Sequence, residues 1–203
     1  INFSSTLDLT EETISGTLYV NNPNYNYSGN SVFSSLNVSA SDKTDSSGYE
    51  SSKTGFALGS EFEQYENIFI SPAISASYEE IEVQSSASSA LKKMDGTFTN
   101  MDFSYGITVD KRNQVFQPSD GYRTKFLQSL PIILDSSSIL NGLDLSTYHA
   151  FSEDVIGALK FHARSIHGLN NEDVRVTSRL YLPSRRLRGF RSGRVGPKDG
   201  DDW

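Results

Sequence analysis

Seven arginines, at positions 175, 179, 185, 186, 188, 191 and 194, fall between Val174 and Pro197, and no acidic residue lies among them. Guanidinium groups at this density, with Tyr181 and Phe190 close by, could grip phosphate or stack on nucleobases. The chain as a whole opposes that use, because a net charge of -7 and a pI near 4.9 repel a polyanion at long range. No nucleic-acid partner is expected. The three histidines, His149, His162 and His167, are too scattered for a metal site, and strand alternation sends 162 and 167 to opposite faces. They read as core or lumen side chains. Glu79-Glu80 and Asp201-Asp202 are paired acids with no neighbouring base, and read as solvated turns rather than general acid/base machinery. There is no phosphate loop, G-x-S-x-G elbow or H-E-x-x-H pair, and the absence of cysteine removes thiol nucleophiles, disulfides and cysteine-ligated metals. No enzyme, metal site or cofactor is expected.

The elements that position these residues show a period of two. From Thr97 to Asp110 the odd positions hold Met101, Phe103, Tyr105, Ile107 and Val109, and the even ones Asn100, Asp102, Ser104, Gly106, Thr108 and Asp110. This is a strand with one apolar face. The same alternation recurs through Phe3 to Leu9, Ile14 to Val20, Val32 to Ala40, Phe56 to Phe62 and Ile68 to Tyr78, and less cleanly from Tyr122 to Leu134, Leu143 to Phe151 and Val155 to Ile166. Short turn signals at Glu11-Glu12, Tyr27 to Asn30, Gln64 to Asn67 and Glu153-Asp154 alternate with longer polar stretches at Asp42 to Lys53, Gln84 to Gly96 and Asp135 to Gly142. Only Glu79 to Glu82 and Ala90 to Lys93 suggest a helical turn. The chain reads as all-β, with about nine strands and no domain boundary.

Thirty-three of 203 residues are serine and only 36% are hydrophobic, yet 12 Phe and 10 Tyr argue against a disordered segment. Strands of roughly 9 to 14 residues exceed the usual 5 to 6 and suffice to cross a bilayer at a tilt. In a transmembrane barrel the apolar face meets lipid and the other lines a wet lumen, which accounts for the serine. A soluble sandwich or small barrel would turn the same alternation around. Periodicity alone leaves both open. No stretch approaches the apolar run of a membrane helix. No signal peptide is evident, and the chain reads as a piece of something longer.

Three motifs narrow the choice. Arg186-Leu187-Arg188-Gly189-Phe190 is followed by Gly193, Gly196-Pro197 and Asp199-Gly200; Phe116-Gln117-Pro118-Ser119-Asp120-Gly121 precedes a strand; and Asn22-Pro23-Asn24-Tyr25 ends an early one. In these, and in their order along the chain, the sequence resembles the outer-membrane barrel-assembly family, the BamA-type proteins also called bacterial surface antigens. The resemblance implies a transmembrane antiparallel up-and-down β-barrel in the bacterial outer membrane, of which this chain holds about nine of sixteen strands. Residues 1–168 would be membrane strands with their loops and turns, and residues 169–203 a long extracellular loop, although Val174 to Leu182 alternates like a strand.

The resemblance further implies a factor that folds and inserts other outer-membrane proteins. Its clients would be unfolded outer-membrane proteins, and its partners assembly lipoproteins bound through periplasmic domains, with membrane lipid and lipopolysaccharide around it. Arg188, with Gly189 and Phe190, would fold inward and lock the loop in the lumen against groups on later strands. Arg185, Arg186, Arg191 and Arg194 read as a solvated basic loop, or one meeting lipopolysaccharide. The Pro118, Asp120, Gly121 turn reads as structural: proline presets φ, aspartate accepts a backbone N–H, and glycine takes the left-handed site. An autotransporter-assembly or two-partner-secretion barrel shares the loop motif, and a passive porin or a secreted β-sandwich would belong to other classes.

Overall fold

The structure is a computed structural model and describes residues 1–134, 138–169 and 173–181. Among the described residues nine strands follow one another: β1 (Asn2–Leu9), β2 (Thr13–Asn22), β3 (Ser31–Lys43), β4 (Tyr49–Tyr65), β5 (Ile68–Val83), β6 (Gly96–Asp110), β7 (Gly121–Leu134), β8 (Ser138–Ala150) and β9 (Ile156–Gly168). Each pairs antiparallel with the next, so the sheet order equals the chain order, and the sheet is open, with β1 and β9 at its edges. This is an up-and-down arc of a barrel wall.

Two polar stretches that read as connections are largely strand. Asp42 and Lys43 pair with Glu50 and Tyr49, leaving only the one-turn helix α1 (Thr44–Ser47) and Gly48 between β3 and β4. Residues 138 to 142 belong to β8. Backbone pairing outweighs composition here, because a polar strand face is no cost where it meets water. Glu79 to Glu82 continue β5, and the other suggested helical turn is α2 (Ser89–Lys92), capped by the Ser88 hydroxyl, which accepts from the Leu91 N–H at 3.3 Å. Val174 to Tyr181 is not a strand despite its alternation; it contains a single 3-10 turn, Val176–Ser178.

The sheet's two faces settle which way the alternation points. On one face lie Phe3, Leu18, Leu36, Phe56, Leu58, Ile74, Phe103, Ile107, Leu143, Leu159 and Phe161, all exposed, Phe3 at 68% and Leu159 at 65%. The opposite face carries Ser15, Thr17, Ser35, Asn37, Ser51, Ser75, Ser77, Asn100, Ser104 and Thr108, and the buried polar residues of the strands, Glu79, Asn100 and Thr108, belong to it. Apolar outside and polar inside is the reverse of a water-soluble sheet and the pattern of a barrel in lipid. The inner serines and threonines link across strands, as in Thr13 with Ser41 at 2.8 Å and Thr17 with Asn37 at 3.0 Å.

The outer apolar belt has a measurable height. Along β5 it runs from Ile68 to Tyr78 and then gives way to Glu80 and Glu82, with Glu50 and Asp42 alongside in the ladder. Ten residue steps at about 3.3 Å, tilted by about 40°, span about 25 Å, the height of an outer-membrane apolar band. The acidic row marks where lipid ends. Above it, α1, α2 and residues 173–181 form a small cap whose core is Tyr49, Ile81, Leu91, Met94 and Val176.

Candidate functional site

Among the described residues the lumen face holds three charge clusters at different heights. At the mouth opposite the cap, Arg112 donates to Asp110 through Nε at 2.8 Å and Nη2 at 2.6 Å, and Arg123 Nε stands 3.5 Å from the same carboxylate. Nearer mid-height, Asp144 on β8 meets two side chains of β9: the ring Nδ1 of His162, and Nη2 of Arg164 at 2.6 Å. Gly142 makes room for this arrangement, since the Arg164 stem crosses it and a Cβ there would lie 2.8 Å from both Arg164 Cδ and Leu127 Cγ.

The third cluster, under the cap, joins parts of the chain far apart in sequence. Glu79 on β5 is 1% exposed and Arg175 is 7% exposed, with Nη1 of the arginine 3.0 Å from Oε2 of the glutamate. Arg175 Nη2 donates to Asn100 Oδ1 at 2.8 Å, and the guanidinium carbon lies 4.5 Å from the Phe98 ring centroid. Burial in the cap, beyond the apolar belt, pushes the Tyr49 phenol up to about 12, so it stays protonated at any physiological pH.

The residues singled out in the sequence fare differently. Arg188, Gly189 and Phe190 lie outside the described residues. Pro118, Asp120 and Gly121 form the connection between β6 and β7; Gly121 has φ +93°, and a Cβ there would run into the Lys111 carbonyl oxygen. The backbone N–H groups of Ser119 and Asp120 donate not to Asp120 but to the Asn113 side-chain oxygen, at 3.1 and 3.3 Å. The Asp120 carboxylate instead lies 3.5 Å from His149. Among the histidines only His162 faces the lumen; His149 is an exposed rim residue packed edge-on against Phe151, and His167 is exposed on the outer face, because both occupy the phase of β8 and β9 that points to lipid. Glu79 corrects the reading of Glu79-Glu80 as a solvated turn: neighbours on a strand face opposite ways, which buries Glu79 and exposes Glu80. Its signal was present in the alternation of Ile74, Ala76 and Tyr78, which puts position 79 on the lumen side. Among the described residues no group of histidines and acids is arranged to hold a metal.

The comparisons with known proteins bear on this inside-out arc directly. The family model of the Omp85 superfamily domain matches residues 2–203. The chain belongs to the Omp85 superfamily. Among solved structures, it is similar to the crystal structure of BamA from Haemophilus ducreyi lacking POTRA domains 1-3, with a TM-score of 0.80 at 15% identity. The likeness covers 97% of this chain but 41% of that one. No curated protein matches in sequence. An Omp85 barrel places the chain in the bacterial outer membrane, and the nine strands are a BamA-like part of the wall. In that setting the exposed apolar belt is covered by lipid, and the charge clusters line the barrel interior.

Proposed function

We propose that this Omp85 chain is the central part of a barrel that folds and inserts other outer-membrane β-barrel proteins, and that it works without enzymatic chemistry. The observation that supports this most is the likeness to BamA, which covers 97% of the chain, together with the Arg188-Gly189-Phe190 motif beyond β9. Clients would be unfolded outer-membrane proteins whose strands pair with backbone N–H and C=O groups at a weak barrel seam. Assembly lipoproteins would bind through periplasmic domains, and outer-membrane lipid and lipopolysaccharide would surround the belt. Arg188 would reach into the lumen, where an arginine needs a carboxylate or a ring to offset its desolvation.

The test is client insertion by the full-length protein in proteoliposomes. Arg188→Ala is expected to impair insertion while leaving the membrane-embedded wall folded. Absence of client insertion by the unsubstituted protein would sink the assembly reading and favour a passive porin, whose ion conductance should not respond to Arg188→Ala; undiminished insertion in Arg188→Ala would remove the role given to Arg188. A related autotransporter-assembly or two-partner-secretion barrel is separated by which clients the full-length protein accepts.

A further inference from the structure

The segment after β9 does not stay beside β9. Residues 173–181 reach the inner face of β5 and β6, with β7 and β8 between, and are seated there by two adjacent side chains. Val176 enters the cap core with Tyr49, Ile81, Leu91 and Met94. Arg175 makes three different contacts, to a carboxylate, an amide and a ring, all on one patch of the wall: Glu79 and Phe98 are ladder partners, and Asn100 lies two residues further along the same face. The backbone is fixed at the same point, because the N–H groups of Ser178 and Arg179 donate to the Arg175 carbonyl at 2.9 and 3.1 Å.

We propose that Arg175 is a positioning residue that moors the long loop to the β5–β6 wall through Glu79, Asn100 and Phe98, separately from the Arg188 motif. The mooring rests on this geometry; only its purpose, holding the motif for assembly, rests on the function proposed above. An apolar pair of similar size would fill the space as stably, but an ion pair with a directed amide and ring accepts one placement of the segment and rejects shifted ones. Arg188 follows Arg175 by thirteen residues, so a fixed Arg175 confines the motif within about 45 Å of the wall even for a fully extended chain.

The chain contains no cysteine, so Leu91→Cys and Val176→Cys introduce a reporter pair across the cap. In the full-length protein in outer membranes, a short thiol cross-linker should join them efficiently. Arg175→Ala and Glu79→Lys should each lower the cross-linked yield by about tenfold, because a buried charge has lost its partner. The exchanged pair, Glu79→Lys with Arg175→Glu, should recover most of it. Resistance of the unheated protein to detergent unfolding reports folding. If Arg175→Ala does not fold, Arg175→Lys and Glu79→Gln, which keep the shape and part of the bonding, should fold and give intermediate yields. Full cross-linking in folded Arg175→Ala or in Glu79→Lys overturns the mooring, as does an exchanged pair no better than the single variants, or full yield in both conservative variants. Client insertion is read in the same samples. Loss of insertion in Arg188→Ala with the cross-link intact leaves the mooring standing, and loss of the cross-link in Arg175→Ala is decided whether or not clients insert.

Discussion

The wall made by β4 to β6 and the wall made by β7 to β9 both turn carboxylates into the lumen and pair them with arginine, but they do so in different ways. On β8 and β9 the partners are ladder neighbours: Asp144 sits opposite His162, and Arg164 is two residues along, so the hairpin carries its own compensation. Those side chains are 22 to 33% exposed, and water shares the work. On β5 and β6 the arginine comes from a segment beyond β9, and the pair is almost fully buried. A charge compensated within a hairpin asks nothing of the rest of the molecule. One compensated across the lumen ties the loop to the wall.

Substitutions that break this contrast are ordered by how much each wall depends on its pair. Glu79→Ala should cost about 3 to 5 kcal/mol, since it strands Arg175 in a buried site. Unfolding in denaturant, followed by loss of detergent resistance, measures it; a cost below that of the Asp144 change would abolish the contrast. Next comes Gly59→Ala on β4. A Cβ there would stand 2.5 Å from Phe33 Cζ and 2.7 Å from Ala73 Cβ, and Phe33 is held by stacking on Tyr19 at 5.9 Å, so the expected cost is about 1 to 3 kcal/mol. The matching change on the other wall, Gly142→Ala, should cost less, because the Arg164 stem can move aside; equal costs would show that both walls are equally rigid.

Asp144→Asn keeps the shape of a water-accessible site and should cost about 1 kcal/mol. The smallest effect at neutral pH belongs to the cap. Because the folded state raises the Tyr49 phenol from its ordinary 10 to about 12, its contribution is fully present below pH 10 and is lost as pH rises from 10 to 12. Cross-linking between positions 91 and 176 should fall over that interval and become insensitive to it in Tyr49→Phe. A pH-independent yield in both proteins would show that Tyr49 does not bear on the cap.

Much of the wall could be read from residue order. The alternation in Thr97 to Asp110 assigns every position of β6 to a face, and the turn signals at Glu11-Glu12 and Glu153-Asp154 separate strands that do pair. Polar stretches were harder. Residues 42–43 and 49–53 look like a loop in composition, yet they pair as strand above the lipid, where a polar outer face costs nothing. The turn before β7 was visible as Pro118 to Gly121, but Asn113, which accepts its backbone N–H groups, lies outside the motif, and only the folded turn brings it there. Glu79 was legible as a position on a face and not as a partner, because its partner lies 96 residues away in sequence.

The sequence by itself determined the strands, their phase and the paucity of hydrophobic residues, since the period-two pattern and the serine excess are local properties that each hairpin expresses on its own. Only the tertiary structure decided which face meets lipid and where Arg175 goes. Alternation is the same whether the apolar side points in or out, and that choice depends on the curvature of nine strands taken together. The pairing of Arg175 with Glu79, likewise, requires residues 173–181 to sit against β5 and β6 with β7 and β8 between them and β9, and no local preference encodes such a placement.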